Sequence, residues 1–157
     1  MTWNVKVAPD NEPGEKLIIT GKVYQSDGKT PAEGIIIYLY HTNEKGIYDH
    51  TGITSGWGRR HGKLRSWIKT NEKGEYRFET IRPGSYPKGR NPAHIHVILK
   101  EENRPPYWID DYHFEGDPFI SEEESEKLRS KQNSGFIKLT KNEKGIWTGT
   151  RDIVLLP

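Results

Sequence analysis

The chain has 157 residues, of which 32% are hydrophobic, with 5 Trp, 8 Tyr and 4 Phe. That length bounds a single domain, and the large rings can build a core that the low apolar fraction otherwise could not. A net charge of +2 with no dense Lys/Arg cluster excludes a nucleic-acid binder, and the absence of cysteine excludes disulfides and thiolate metal sites.

In chain order, the N-terminus Met1-Thr2-Trp3-Asn4-Val5-Lys6 lacks the apolar run of a signal peptide. No later segment is apolar and long enough to span a bilayer, so a cytoplasmic protein without membrane partners is expected. Short apolar runs predict strands at 16–25, 34–42, 65–70, 75–81, 93–100, 135–140 and 147–156. Glu12-Pro13-Gly14, Ser26-Asp27-Gly28 and Pro83-Gly84 punctuate them as turns. Gly56-Trp57-Gly58-Arg59-Arg60-His61-Gly62 reads as a flexible basic loop. Ser121-Glu122-Glu123-Glu124 is a capping box, with Lys127, Arg129 and Lys131 at the far end of the segment. It predicts one short surface helix near 121–132, solvated because Leu128 is its only strong apolar residue. The expectation is therefore all-β: residues 1–157 as one β-sandwich of mixed short strands plus that helix.

Asn-Glu-Lys-Gly occurs at 43, 71 and 142, each time followed by one residue and an aromatic: Tyr48, Tyr76 and Trp147. Asn first and Gly fourth suit a type I turn closed by a left-handed residue. The irregular spacing makes this a reused hairpin turn and not a solenoid repeat.

The chemistry concentrates at His94-Ile95-His96. Side chains two apart on a strand share a face, so both imidazoles can reach one point. Ala93, Ile95, Val97, Ile98 and Leu99 make the strand apolar on both faces, which predicts buried histidines in need of partners. A metal is one such partner and a hydrogen-bonded core is the other. Glu101 completes a His-x-His-x4-Glu spacing, half of a cupin-like metal motif. Tyrosine is the other anionic oxygen donor on offer. The spare histidines His41, His50, His61 and His113 are expected at the surface or just outside the site, and Tyr107 and Trp108 as core or pocket wall.

Three stretches carry a family resemblance: 30–48 ending in Gly46-Ile47-Tyr48, 70–87 ending in Tyr86-Pro87, and Pro92-Ala93-His94-Ile95-His96. Phe114-Glu115-Gly116-Asp117-Pro118 is a fourth, weaker echo. Together they resemble the intradiol ring-cleavage dioxygenases over roughly residues 15–120. The resemblance implies an iron(III) ion, Fe(3+), held by Tyr48, Tyr86, His94 and His96, with hydroxide as fifth ligand. Tyr86 and His96 would be axial, Tyr48 and His94 equatorial. It implies a catecholic substrate cleaved with O2 between its hydroxyls to a cis,cis-muconate, as in aromatic compound catabolism, with homo-oligomerisation left open. Phenolates are hard anionic donors that favour iron(III), and a trivalent cation removes a phenol proton whose free pKa is about 10.

The chain departs from the family around the substrate. Asn91 stands where the family has a substrate-stabilising arginine. Arg90, and next Lys88, is expected to replace it, with Arg90→Ala costing turnover at least about tenfold. Tyr86, Arg90 and Asn91 are thus the expected catalytic positions. Asp111 and His113 stand where a glutamine and a tyrosine are usual. Two other readings compete: a non-catalytic transthyretin-like sandwich module, and a cupin-like enzyme using His94, His96 and Glu101.

Overall fold

Burial alternates residue by residue along the strands that carry the apolar runs, and that alternation builds the molecule. The computed structural model describes residues 1–157. In chain order the elements are β1 (Asn4–Lys6), β2 (Lys16–Tyr24), β3 (Ile36–His41), α1 (Gly56–His61), β4 (Arg65–Lys69), β5 (Glu75–Ile81) and β6 (Ile95–Lys100). There follow β7 (Tyr107–Trp108), β8 (His113–Phe114), α2 (Glu122–Ser130), β9 (Phe136–Ile137), β10 (Thr140–Lys141), β11 (Trp147–Thr150) and β12 (Ile153–Val154).

Two sheets form the sandwich. One runs β1-β5-β2-β11-β10, with β12 also on β2; the other runs β4-β3-β6-β7. Leu17, Ile19, Tyr76 and Phe78 of the first sheet meet Ile37, Leu39, Ile68, Ile95, Val97 and Leu99 of the second in one apolar cluster. The other face of the second sheet therefore carries the even-numbered residues of β3 and β6: Ile36, Tyr38 and Tyr40 opposite Lys100, Ile98 and His96. The site is built on that face. Because only the odd positions of β6 enter the core, His94 and His96 are half-buried, not buried as the apolar flanks imply.

Each of the seven expected segments carries strand, but the run at 135–140 is split: β9 pairs with β8 in a separate two-stranded sheet, and β10 pairs with β11 in the first sheet. The run at 147–156 is interrupted at Arg151 and Asp152, but its register is unchanged: Thr150 pairs with Thr20 and Ile153 with Val23. There the Asp152 carboxylate accepts from Lys22 N at 2.9 Å in place of a backbone carbonyl. Gly21 makes the approach possible, since a Cβ there would lie 1.8 Å from the Arg151 carbonyl oxygen. The capping box forms as expected, Glu124 N donating to Ser121 Oγ (3.1 Å) and Ser121 N to Glu124 (2.8 Å).

The glycine-rich stretch expected as a loop is instead the helix α1, stopped by Gly62 at φ 79°. Its glycines argue against a helix by propensity. Packing overrides propensity: His61 is buried against Tyr38 and Tyr40, and Gly58 lies where a Cβ would touch Ile53 and the Arg65 guanidinium at 3.0–3.1 Å. No helix is long and apolar enough to cross a membrane.

Candidate metal centre

The histidine pair is positioned from both sides of β6. Antiparallel pairing sets Tyr40 opposite His96 and His41 opposite Ile95. On the other side Tyr112 exchanges backbone hydrogen bonds with Ile95, at 2.9 and 3.1 Å. Antiparallel register then places Asp111 beside His96 and His113 beside His94, and their contacts follow. Asp111 Oδ1 accepts from His96 Nδ1 at 3.2 Å, and the His94 and His113 rings lie 6.0 Å apart. His94 Nδ1 donates to the Pro92 carbonyl at 2.8 Å. Asp117, from the Gly-Asp-Pro block, accepts from Ala93 N (3.0 Å) and Phe119 N (2.8 Å), fixing the backbone just before His94.

The two tyrosines arrive on loops that interlock through glycines. Gly46 closes the turn at Asn43 with φ 77°, and a Cβ on it would lie 1.8 Å from Ser85 O and 3.2 Å from Tyr86 Cα. Gly84 is equally confined, a Cβ there lying 2.3 Å from Glu44 O. Gly84 N donates to Asn43 O at 2.9 Å, and Thr42 Oγ1 donates to Gly84 O at 2.9 Å. The glycines let the two loops pack backbone to backbone, which brings Tyr48 and Tyr86 together.

Four polar atoms close a ring. Tyr48 Oη and Tyr86 Oη are 2.8 Å apart, Tyr86 Oη and His94 Nε2 3.1 Å, His94 Nε2 and His96 Nε2 3.1 Å, and His96 Nε2 and Tyr48 Oη 3.0 Å. Donors bound to one ion at about 2.1 Å crowd to within about 3 Å of each other, which is the spacing seen. Both Nδ1 protons are already committed, to Pro92 O and to Asp111. The neutral imidazoles therefore present lone pairs at Nε2, and their 3.1 Å contact sets two acceptors face to face. A cation between them resolves that repulsion, so the donor set fits a metal ion. His94, His96 and Asp111 also form a compact His–His–carboxylate group. However, Asp111 meets Nδ1 of His96, the nitrogen turned away from the ring, and so orients the imidazole.

Burial, and next the neighbouring Tyr86 hydroxyl, push the Tyr48 phenol far above its ordinary value, so only a strong cation ionises it. Tyr40 is pushed up to about 12, mainly by burial and then by Asp111. Its ring is stacked between His61 (3.7 Å between centroids) and His96 (4.6 Å), holding the His96 imidazole plane. His61 is held by the Tyr38 hydroxyl at 2.7 Å. Neither Tyr40 nor His61 announces this role in the sequence. The even-position alternation of Tyr38, Tyr40 and the His-x-His pair was the available signal.

A cavity of about 480 Å³ opens beside the ring, lined among others by His96, Trp108, Asp111, His113, Leu128 and Lys131. Leu128 and Lys131, expected on a solvated helix, thus reach a cavity wall. Arg90, Asn91 and Lys88 do not line it and are exposed on the loop before His94. Glu101 is also elsewhere, five residues along the chain from His96, accepting from the Tyr107 hydroxyl at 2.7 Å and paired with Arg104 at 3.7 Å. The cupin-like grouping does not assemble. His41 is neither at the surface nor in the ring but buried in the core. Tyr76 is in the core as well, bonded to the Tyr112 hydroxyl and the Arg151 carbonyl.

The sequence matches the family model described as Dioxygenase over residues 2–145. It is 33% identical to catechol 1,2-dioxygenase 1 of Acinetobacter lwoffii, covering 82% of this chain and 39% of that protein. It is 30% identical to the protocatechuate 3,4-dioxygenase beta chain of Burkholderia cepacia, covering 71% of this chain and 50% of that one. The chain thus spans half or less of the length of these two relatives. Among solved structures, the dioxygenase domain of a dioxygenase–carbohydrate-binding fusion from Streptomyces sp. SirexAA-E superposes with a TM-score of 0.74 at 23% identity, over 96% of this chain and 85% of that one. Catechol 1,2-dioxygenase from Pseudomonas arvilla C-1 gives a TM-score of 0.75 at 19% identity, over 98% and 56%. These two likenesses bear on the fold alone. With most of its length matched by the family model and its fold shared, the chain belongs to the intradiol ring-cleavage dioxygenase family.

Proposed function

We propose that this protein is an iron(III) dioxygenase that opens a catecholic ring between its two hydroxyl-bearing carbons. Both atoms of O2 enter the product, a cis,cis-muconate-type dicarboxylic acid. The observation that carries the reading is the closed ring of Tyr48 Oη, Tyr86 Oη, His94 Nε2 and His96 Nε2, with edges of 2.8–3.1 Å. These four side chains would hold the ion. Two phenolates and a hydroxide would balance a 3+ charge, which a divalent ion would leave in negative excess. Iron(III) held there would supply Lewis acidity to the reaction.

The chain's own groups handle protons and position. A catechol has two hydroxyl protons to lose, and Tyr86 Oη takes one as general base. Asp111 and Pro92 O keep both imidazoles in the tautomer that faces the ion. Trp108 packs edge-on against His96 and walls the cavity beside it. A non-catalytic sandwich has no use for four convergent donors.

The test is oxygen uptake by iron-loaded protein given catechol, followed with the ultraviolet absorption of the product. One O2 consumed per catechol, with a muconate spectrum, is expected. No uptake at full iron occupancy with catechol or its simple substituted forms overturns the reading. Tyr86→Phe is expected to lower kcat more than it raises KM.

A further inference from the structure

The cavity of about 480 Å³ beside the metal centre carries its charge unevenly. Three charged side chains line it: Asp110, Asp111 and Lys131. Lys131 Nζ lies 2.8 Å from Asp110 Oδ2, so those two cancel. Asp111 has no such cation. Its Oδ1 accepts from His96 Nδ1 at 3.2 Å, and the Nε2 of that same imidazole belongs to the ring of donors. That contact leaves Asp111 Oδ2 for a ligand. The Asp111 side chain is 26% exposed, so its charge is only partly screened by water. A bound iron(III) ion would not remove that charge. Two phenolates and a hydroxide, or one phenolate and a catecholate dianion, already balance the ion, and Asp111 stands in excess. Trp108 forms another part of the wall, edge-on to His96. An aromatic face attracts a cation.

We propose that Asp111 is the specificity-determining residue of this cavity. It selects a catechol whose ring substituent ends in an ammonium group over one whose substituent ends in a carboxylate. This rests on the catecholic reading above, and it names a substrate class that the reading leaves open. His96 lines the cavity, and its imidazole alone separates Asp111 from the ring of donors. A short arm on a ring bound at those donors therefore brings its end group to the Asp111 carboxylate. There an ammonium finds a charged acceptor in Oδ2. A carboxylate meets a like charge, and Lys131, the cation on that wall, is already paired with Asp110. The discrimination thus comes from repulsion of one substituent as well as attraction of the other.

Two measurements separate this claim from the catecholic reading. The first compares kcat/KM of iron-loaded protein for 4-(2-aminoethyl)catechol, 4-ethylcatechol and 3,4-dihydroxyphenylacetate. Efficiency should fall in that order, with the amine favoured over the carboxylate by roughly tenfold or more. Asp111→Asn keeps an oxygen for His96 Nδ1 and removes the charge. Whatever it does to the overall rate, it should bring the amine-to-carboxylate ratio to within about threefold of unity. Lys131→Gln leaves Asp110 without its cation and should widen the ratio; a narrower one overturns the charge assignment. A wild-type ratio near unity, a reversed one, or one that Asp111→Asn leaves unchanged overturns the proposal, while turnover of 4-ethylcatechol keeps the catecholic reading standing. If no catechol is turned over, the second measurement decides. It is calorimetric binding of 4-(2-aminoethyl)phenol and of 4-hydroxyphenylacetate, neither of which chelates, to the metal-free protein. Tighter binding of the amine, levelled by Asp111→Asn, supports the selectivity without the reaction. Equal binding, tighter binding of the carboxylate, or no binding of either overturns it.

Discussion

Two stretches of this molecule share the sequence Asn-Glu-Lys-Gly-x-Tyr and the same local structure, yet deliver their tyrosines to opposite fates. In both, the Asn side-chain oxygen accepts two backbone N–H groups: Lys45 and Ile47 in one turn, Lys73 and Glu75 in the other, at 2.8–3.1 Å. The glycines have φ 77° and 71°. Tyr48 then joins the ring of four polar atoms with Tyr86, His94 and His96, and Tyr76 lies in the core between Tyr112 and Arg151. What differs is the backbone each glycine touches. Gly46 lies against Ser85 and Tyr86, and Gly74 against Val23 O and Ala32 N. The turn is a local property; where its tyrosine goes is decided by the neighbour that the glycine admits.

The third copy of the turn supplies a control. Gly145 has φ 74°, and a Cβ added there would meet nothing within 4 Å, so Gly145→Ala should cost only the left-handed strain, about 1 kcal/mol. Gly46→Ala adds a clash with a backbone carbonyl and should cost about 3 kcal/mol or more, and with it the visible iron–tyrosinate absorption. Gly74→Ala should destabilise by an intermediate amount and leave that absorption intact. Urea denaturation of the three variants ranks them, and equal losses would break the comparison.

His41 ties the two regions together, so pH is the next lever. Its Nδ1 donates to Thr42 O and its Nε2 accepts from the Thr80 hydroxyl, both at 2.7 Å, joining the strand before the Asn43 turn to the strand that carries Tyr76. Burial lowers its pKa to about 4, from an unfolded value near 6.5. Folding thus favours the neutral ring. The stabilisation is complete above about pH 6.5 and falls as pH drops toward 4, by roughly 3 kcal/mol in all. Stability of wild type and His41→Gln across pH 4–7 checks this: the wild-type slope should be steeper.

A smaller effect separates the tyrosines themselves. Tyr76→Phe strands the Tyr112 hydroxyl and the Arg151 carbonyl and should cost about 1–3 kcal/mol, with the iron absorption unchanged. Tyr48→Phe should do the reverse, changing the absorption with less effect on the stability of the metal-free fold. The smallest change is expected from Arg90→Ala, under about threefold in turnover at full iron occupancy, because Arg90 is exposed. A tenfold loss would mean that the loop folds inward when substrate binds.

Much of this was legible in the chain. Strand alternation and turn residues specify the sandwich, because those signals are local; the candidate donors Tyr48, Tyr86, His94 and His96 come from the family resemblance, since Tyr76 has the same local sequence as Tyr48. Tertiary placements were not. Helix α1 forms against propensity because His61 packs on Tyr40 and Gly58 admits Arg65. Arg90 is exposed on the loop before His94, an exposure that its closeness in sequence to the histidines does not reveal. Asp111 reaches His96 only through the pairing of Ile95 with Tyr112, a contact between residues far apart in the chain.

The central claim is that Tyr48, Tyr86, His94 and His96 bind one iron(III) through both phenolates. Anaerobic titration of metal-free protein with iron(III), followed by visible absorption, tests it most directly. The account predicts a red-brown tyrosinate absorption that saturates at about one iron per chain in wild type and in Tyr76→Phe, and that is shifted or weakened in Tyr48→Phe and in Tyr86→Phe. A protein that stays colourless at saturating iron, or an absorption that Tyr76→Phe removes and Tyr48→Phe does not, would contradict it.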